Sequence, residues 1–411
     1  MRDVPLWQEL IEKCDTLTVL RDGNIVANLT KSKGEFDPDM IKKYIKPMYV
    51  QQIFIYYEKA INIDEIIKDE IGIVFSKVLE DAGVFKRDQK GQEAFVKFIN
   101  CVNNVDIVNT QTNVSNGGFV GGVESQAQLY FENCVNNGDV SGTAKNHMGI
   151  SGFVGILGPN ASTTTTFKNC RNNGNLVDLG VEGHQNAYMG GFVGRNYGSP
   201  KVTAENCINT GDVTCSGGGW SGAGGFVGNG MTHGYSWTVP APGIYTFTNC
   251  INLGNITGAQ FSGGIGGGFK QHSYEGSTVQ MENCANFGDI EGKEYAGGML
   301  GQVGDYGCDI IIFKNCYNAG DITAPNGAAG MAGYIQHGAG SATKADGYNI
   351  VNRSPMVIDN CANVGTITCT FAEADRTANK YVAAGILARF GDESNGAVVD
   401  ITISNCVNAG A

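Results

Sequence analysis

The chain is short of positive charge and has no long apolar run. Lys and Arg number 28 against 40 Asp and Glu, a formal net charge of −12. Beyond residue 99 only 13 basic side chains stand against 23 acidic ones, which leaves no basic footprint for a phosphate backbone and argues against nucleic acid as a partner. No window approaches the roughly 18 uncharged apolar residues of a membrane span. The opening MRDVPLWQELIEKCDTLTVL scatters charge where a signal peptide carries its apolar core, so it is not expected to be one. The 13 cysteines include no C-x-x-C pair and no Cys/His cluster at zinc spacing, so no metal and no cofactor is expected.

Glycine and repetition are what the chain has. Of 60 glycines 55 follow residue 99, whereas the first 99 residues hold 32 of the 68 charged side chains. The composition therefore divides the chain near Phe98, and we read three regions: 1–50, 51–97 and 98–411. In the third, Asn-Cys recurs at Cys101, Cys134, Cys170, Cys207, Cys250, Cys284, Cys316, Cys361 and Cys406, at intervals of 32 to 45 residues. Around it lie FENCVNNGDV, FKNCRNNGNL, AENCINTGDV, FTNCINLGNI, MENCANFGDI, FKNCYNAGDI and IDNCANVGTI. A second motif alternates with it: GGFVG at 117–121, SGFVG at 151–155 and GGFVG at 190–194 and 224–228, drifting through GGIGG, GGMLG and AGMAG to AGILA at 384–388.

Apolar-x-Asn-Cys places the apolar residue and the cysteine two apart, on one face of an extended strand, with Cys as a small apolar filler. Asn-x-Gly-Asp then supplies a turn, and Val140, Leu176, Val213, Ile256, Ile290, Ile322 or Ile367 opens the next short strand. Such strands bury nothing alone, but stacked copies pair each strand with its equivalents about 4.8 Å above and below. The expected fold is mainly β: a parallel β-helix or solenoid of about eight to nine repeats, right-handed by the crossover preference, with a small α+β or helical N-terminal region. Asn133, Asn169, Asn206, Asn249, Asn283, Asn315 and Asn360 are expected to form a hydrogen-bonded ladder. Cys134, Cys170, Cys207, Cys250, Cys284, Cys316 and Cys361 are expected beside it as free thiols, because parallel Cβ vectors suit the disulfide dihedral poorly. Cys14, Cys215, Cys308 and Cys369 lie outside that column.

On these motifs the array resembles the GLUG-type repeats of bacterial surface proteins, also found in the N-terminal regions of IgA-protease-like proteins. The resemblance covers about three quarters of the chain. It implies cell-surface display as a stalk or adhesive module, with a host or cell-surface glycan or protein as partner. The IgA-protease relatives act through a zinc domain with H-E-x-x-H, a motif absent here, so that activity does not carry over. Residues 14–30, CDTLTVLRDGNIVANLT, with DPDMIKKYI after them, resemble the part of a sugar-importer ABC ATPase subunit that follows its switch histidine. TLTVL and NIVANL read as two strands about an Asp22-Gly23 turn, with a helix capped by Asp37 and Pro38 to follow. There is no G-x-x-x-x-G-K-[ST], no LSGGQ and no Walker B strand, and the first histidine is His147, so ATP hydrolysis is not implied. Residues 51–97 read as a helical linker or cap whose last helix, QEAFVKFI, enters the first Asn-Cys.

Candidate chemistry is thin. Asp139, Asp212, Asp289 and Asp321 could line up for Ca²⁺, but Asn175, Asn255 and Thr366 interrupt the file and favour a turn role. His233, His272 and His337 fall in loops without acidic or Cys partners at fixed offsets. Trp220, His233, Tyr235 and Trp237 could form a sugar-stacking platform. Two readings follow: a non-catalytic surface stalk or adhesin-like binding module, or a polysaccharide-active β-helix enzyme, a lyase or hydrolase whose acids would cluster with Arg or Lys on one face. No such cluster stands out. NCVNAGA stops one residue into a turn, so the chain is expected to continue past Ala411.

Overall fold

The computed structural model of the 411-residue chain describes residues 16–21, 24–30 and 52–54, and then 94–410. Within that last stretch it leaves out 113, 124–126, 145, 159–162, 185, 197–200, 232–242, 271–277, 305–309, 337–355, 371–381 and 392–400. The chain forms two compact units, Met1–Arg87 and Asp88–Ala411. In the first, Thr16–Arg21 pairs antiparallel with Asn24–Thr30, and the Arg21–Asn24 pairing leaves Asp22-Gly23 as the hairpin loop read from sequence. A third strand, Gln52–Phe54, pairs on the other side of Thr16–Arg21. The helix expected from Asp37 lies outside the described residues.

The second unit is a parallel β-solenoid. Each repeat contributes one strand to each of five sheets, numbered here in chain order. Sheet one runs from Ala94–Ile99 to Ile401–Ser404, and sheet two from Val102–Asn103 to Val407–Asn408, with nine strands each. Sheet three (Ile107–Thr112 to Ile367–Cys369), sheet four (Asn116–Gly117 to Val382–Ala384) and sheet five (Val120–Val123 to Leu387–Gly391) have eight each. Equivalent residues pair in register from coil to coil, as in Phe131 with Phe167 and Asn136 with Asn172.

No helix occurs among the described residues. Two segments expected to be helical are therefore strands, Gln52–Phe54 and Ala94–Ile99. AFVKFI satisfies a period of two as well as a helical one over so short a run. The neighbouring strand decides, since Val96 pairs with Leu129 and Phe98 with Phe131, and both pack on the core while Lys97 and Ile99 face out.

Among the described residues the core is two long apolar files with a polar waist between them, plus a small third cluster of Phe261, Tyr295 and Tyr334. The larger joins sheets one and five. Phe98, Phe131 and Phe167 stack at 4.7 and 5.0 Å, Phe119, Phe153, Phe192 and Phe226 stack at 4.6 to 4.9 Å, and the two files meet edge to face. The smaller joins sheets three and four around Val140, Leu176, Met189, Val213 and Ile256. Between them the GGFVG glycines approach the asparagines of sheet two. A Cβ on Gly152 would lie 2.1 Å from Asn172 Oδ1, and one on Gly191 would lie 2.2 Å from the Gly225 carbonyl oxygen. Glycine is required there because the backbone of one wall touches the side chains of the other.

Candidate functional site

The repeated polar residues form three files, each consumed by coil-to-coil bonding. The expected ladder is present: the Nδ2 of Asn133, Asn169, Asn206, Asn249, Asn283, Asn315 and Asn360 each donates to the asparagine one coil earlier, starting at Asn100, at 2.8 to 3.2 Å. These residues have φ of 51° to 54°, so asparagine is also there for its tolerance of the left-handed region at the corner before sheet two.

A second ladder was not expected. Asn103, Asn136, Asn172, Asn209, Asn252, Asn286, Asn318 and Asn363 each donate to the asparagine one coil later at 2.7 to 2.8 Å. From Asn136 to Asn363 the other N–H goes to the carbonyl two residues on, at 2.7 to 2.9 Å. That carbonyl fixes the amide orientation, so the buried ladder points towards the C-terminus while the exposed one points back. The two rows of amide dipoles oppose each other. Parity is the sequence signal that gives it away: Asn136 lies two residues from Cys134 and shares its inward face.

In the third file the side chains of Asp106, Asp139, Asn175, Asp212, Asn255, Asp289 and Asp321 each accept the next coil's backbone N–H at 2.7 to 3.0 Å. Asn serves there as well as Asp, which explains the interruptions, and the file is a set of turn caps. No group of three or more His, Cys, Asp or Glu side chains suited to a metal occurs among the described residues.

The described cysteines are free. Those of the column lie against the apolar file and donate to carbonyls, as Cys134 does to Glu132 and Phe98 at 3.3 Å. Burial, with the thiols stacked on either side, raises Cys250 well above the usual thiol range. Cys215, in the smaller file, is pushed up to about 12 by burial and then by the nearby Asp178 carboxylate. Raised values in the fold mean that stability from these protonated thiols is fully present below the unfolded value and is lost as pH rises towards the folded one. The urea midpoint is expected to hold below about pH 8.5 and fall above it. Among the described cysteines, a thiol reagent is expected to react in the native protein first at half-exposed Cys101, Cys369 and Cys406, with Cys134 to Cys361 of the column reacting only on unfolding.

Among the described residues one carboxylate is buried in the coil. Asp178, the residue after Leu176-Val177 in sheet three, has a fully buried carboxylate. It accepts from His184 Nε2 at 2.7 Å, Ser216 Oγ at 2.8 Å, the Gly180 N–H at 3.0 Å and the Ala144 N–H at 3.3 Å. Lys293 Nζ donates to the Ser216 and Gly217 carbonyls, both at 3.0 Å. Ser216 bonds the carboxylate directly and not the imidazole, so the three do not form a nucleophile–base–acid relay. The cluster ties the 179–187 loop to its neighbours. Removing it with Asp178→Ala is expected to cost about 3 kcal/mol or more by stranding four donors, measured by denaturant unfolding. None of it repeats, so no periodicity announced it.

Of the loop aromatics only Trp220 is described; His233, Tyr235 and Trp237, like His272 and His337, lie outside the described residues. Trp220 is 48 % exposed and has φ of +63°, a conformation that an indole-bearing residue rarely adopts. Its backbone N–H donates to the Gln260 side-chain oxygen, Gln260 Nε2 donates to Glu294 Oε1 at 2.7 Å, and Asn326 Nδ2 donates to Glu294 Oε2 at 3.4 Å. Gly222, Phe261, Tyr295 and Gly327 are in register in sheet four, so Ser221, Gln260, Glu294 and Asn326 hold one place on consecutive coils, with Trp220 one residue before it on the first.

Coils and ladders together define the class: a parallel β-solenoid repeat protein whose repeated polar side chains are structural. No family profile and no solved structure matches the chain. Short N-terminal matches are to galactose-1-phosphate uridylyltransferases: 61% identity over 46 residues to that of Fusobacterium nucleatum, 60% over 43 to that of Latilactobacillus sakei and 51% over 43 to that of Enterococcus faecalis. Each covers 10% of this chain, and the chain spans about a tenth (9%) of those relatives' length. The N-terminal segment is thus similar to a stretch of these transferases and not to an ABC ATPase, which corrects the resemblance drawn from CDTLTVLRDGNIVANLT.

Proposed function

We propose that the chain is a non-catalytic module for cell-surface display or adhesion, built of eight to nine GLUG-type repeats coiled right-handed, with a glycan or protein as partner. The observation that carries this reading is that the repeated polar residues are engaged coil to coil in ladders and turn caps, which leaves a stiff scaffold carrying loops of unequal length. A carboxylate already satisfied by four donors, Asp178, is consistent with binding in place of turnover. Antibody labelling of intact cells against permeabilised ones tests display, and equal signal only after permeabilisation contradicts it. Incubation with neutral and acidic polysaccharides is expected to give retention without new reducing or unsaturated ends; steady release of either overturns the non-catalytic reading.

A further inference from the structure

We propose that Trp220, Gln260, Glu294 and Asn326 form a binding strip for a neutral glycan chain laid along the solenoid axis, with the indole stacking on one sugar ring and the polar row bonding hydroxyls of the next. This rests on the reading of the chain as a binding module and names its ligand class.

Three observations converge. The indole is exposed although it sits at a backbone conformation that glycine would adopt freely, and a tryptophan in that place stays in spite of its backbone and not because of it. The bond from the Trp220 backbone N–H to Gln260 and the 221–260 contact, in which the Gln260 backbone N–H donates to Ser221 Oγ at 2.8 Å, hold the residue's backbone from the next coil, so the ring is presented on a fixed base. The row beside it keeps unspent hydrogen-bonding capacity: Gln260 Nε2 and Asn326 Nδ2 each use one of two N–H groups, and the carboxylate of Glu294 has further lone pairs. All three are half-buried, so their planes are already set by their neighbours.

Spacing and charge select the ligand. Equivalent residues on a solenoid recur about every 4.8 Å, close to the length of one sugar in an extended chain, so ring and polar row can address successive sugars. A strip one side chain wide is too narrow for the roughly 800 Å² that each partner gives to a stable protein interface. A carboxylate at its centre, on an array with 23 acidic and 13 basic residues beyond residue 99, repels uronate polymers.

The test titrates the full chain with neutral β-linked glucose, xylose and mannose hexamers and with a galacturonate hexamer, by calorimetry, beside Trp220→Gly, Trp220→Phe and Glu294→Gln. Trp220→Gly relieves the positive φ, so its melting temperature is expected to match or exceed the parent's while affinity for a neutral hexamer falls at least tenfold. Trp220→Phe is expected to retain part of the affinity, and Glu294→Gln to relax the discrimination against galacturonate. Unchanged affinity in Trp220→Gly, tighter binding of galacturonate than of every neutral hexamer, or no binding of any neutral hexamer overturns the proposal. Retention on polysaccharide that survives Trp220→Gly would leave the binding-module reading standing with its site elsewhere, whereas product release would remove that reading itself.

Discussion

Replacing Gly191 with alanine is expected to unfold the middle of the solenoid, at a cost above about 4 kcal/mol. The added methyl would sit 2.2 Å from the Gly225 carbonyl oxygen and 2.6 Å from Asn209 Oδ1. Neither obstacle is the loose end of a side chain: one is backbone paired into the neighbouring coil, the other a buried ladder amide with both N–H groups committed. Relief requires the walls to part, which opens both apolar files. Gly219→Ala is the matched control, since a Cβ there has nothing within 4 Å, and it is expected to change stability by less than about 0.5 kcal/mol. Urea unfolding followed by far-ultraviolet circular dichroism reads both. Equal stability of the two variants would mean that the waist is not closed.

The second large effect separates the two asparagine ladders. Asn209→Ala removes an amide that accepts from Asn172 and donates to Asn252 and to the Gly211 carbonyl. Three buried groups are stranded at about 1–3 kcal/mol each, so about 3–9 kcal/mol is expected. Asn206→Ala, three residues away on the exposed ladder, leaves its stranded partners in water. It pays mainly for a left-handed backbone, about 1–2 kcal/mol. Asn206→Gly should therefore recover most of that loss and Asn209→Gly none of its own. Because stability in stacked repeats is a sum of local and nearest-neighbour terms, hydrogen exchange should locate the Asn209→Ala damage in the coils of Asn172, Asn209 and Asn252.

Legibility followed repetition. FENCVNNGDV carried the corner asparagine, the filler cysteine and the opening Val140, because each does the same thing in every coil. The buried Asn136 file was passed over because an Asn near Gly suggests a turn, although its parity with Cys134 marked it as inward. AFVKFI was misread because six residues do not separate a period of two from one of 3.6, and the pairing that decides lies 33 residues away in Ala127–Glu132. The Asp178 corner was invisible because its members come from unlike segments on four coils. Trp220 was picked out as a loop aromatic, but its polar companions Gln260, Glu294 and Asn326 share a place only once the coils are stacked.

One repeat makes one coil of the solenoid. Glu132, Glu282 and Asp359 occupy one column of sheet one, with Glu282 four coils and Asp359 six coils beyond Glu132. Spin labels placed there through unnatural amino acids, and read by pulsed dipolar spectroscopy, should give Glu132–Glu282 and Glu132–Asp359 separations of about 19 and 29 Å, at about 4.8 Å per coil. Separations that do not grow in proportion to the number of repeats between the labels would contradict the solenoid.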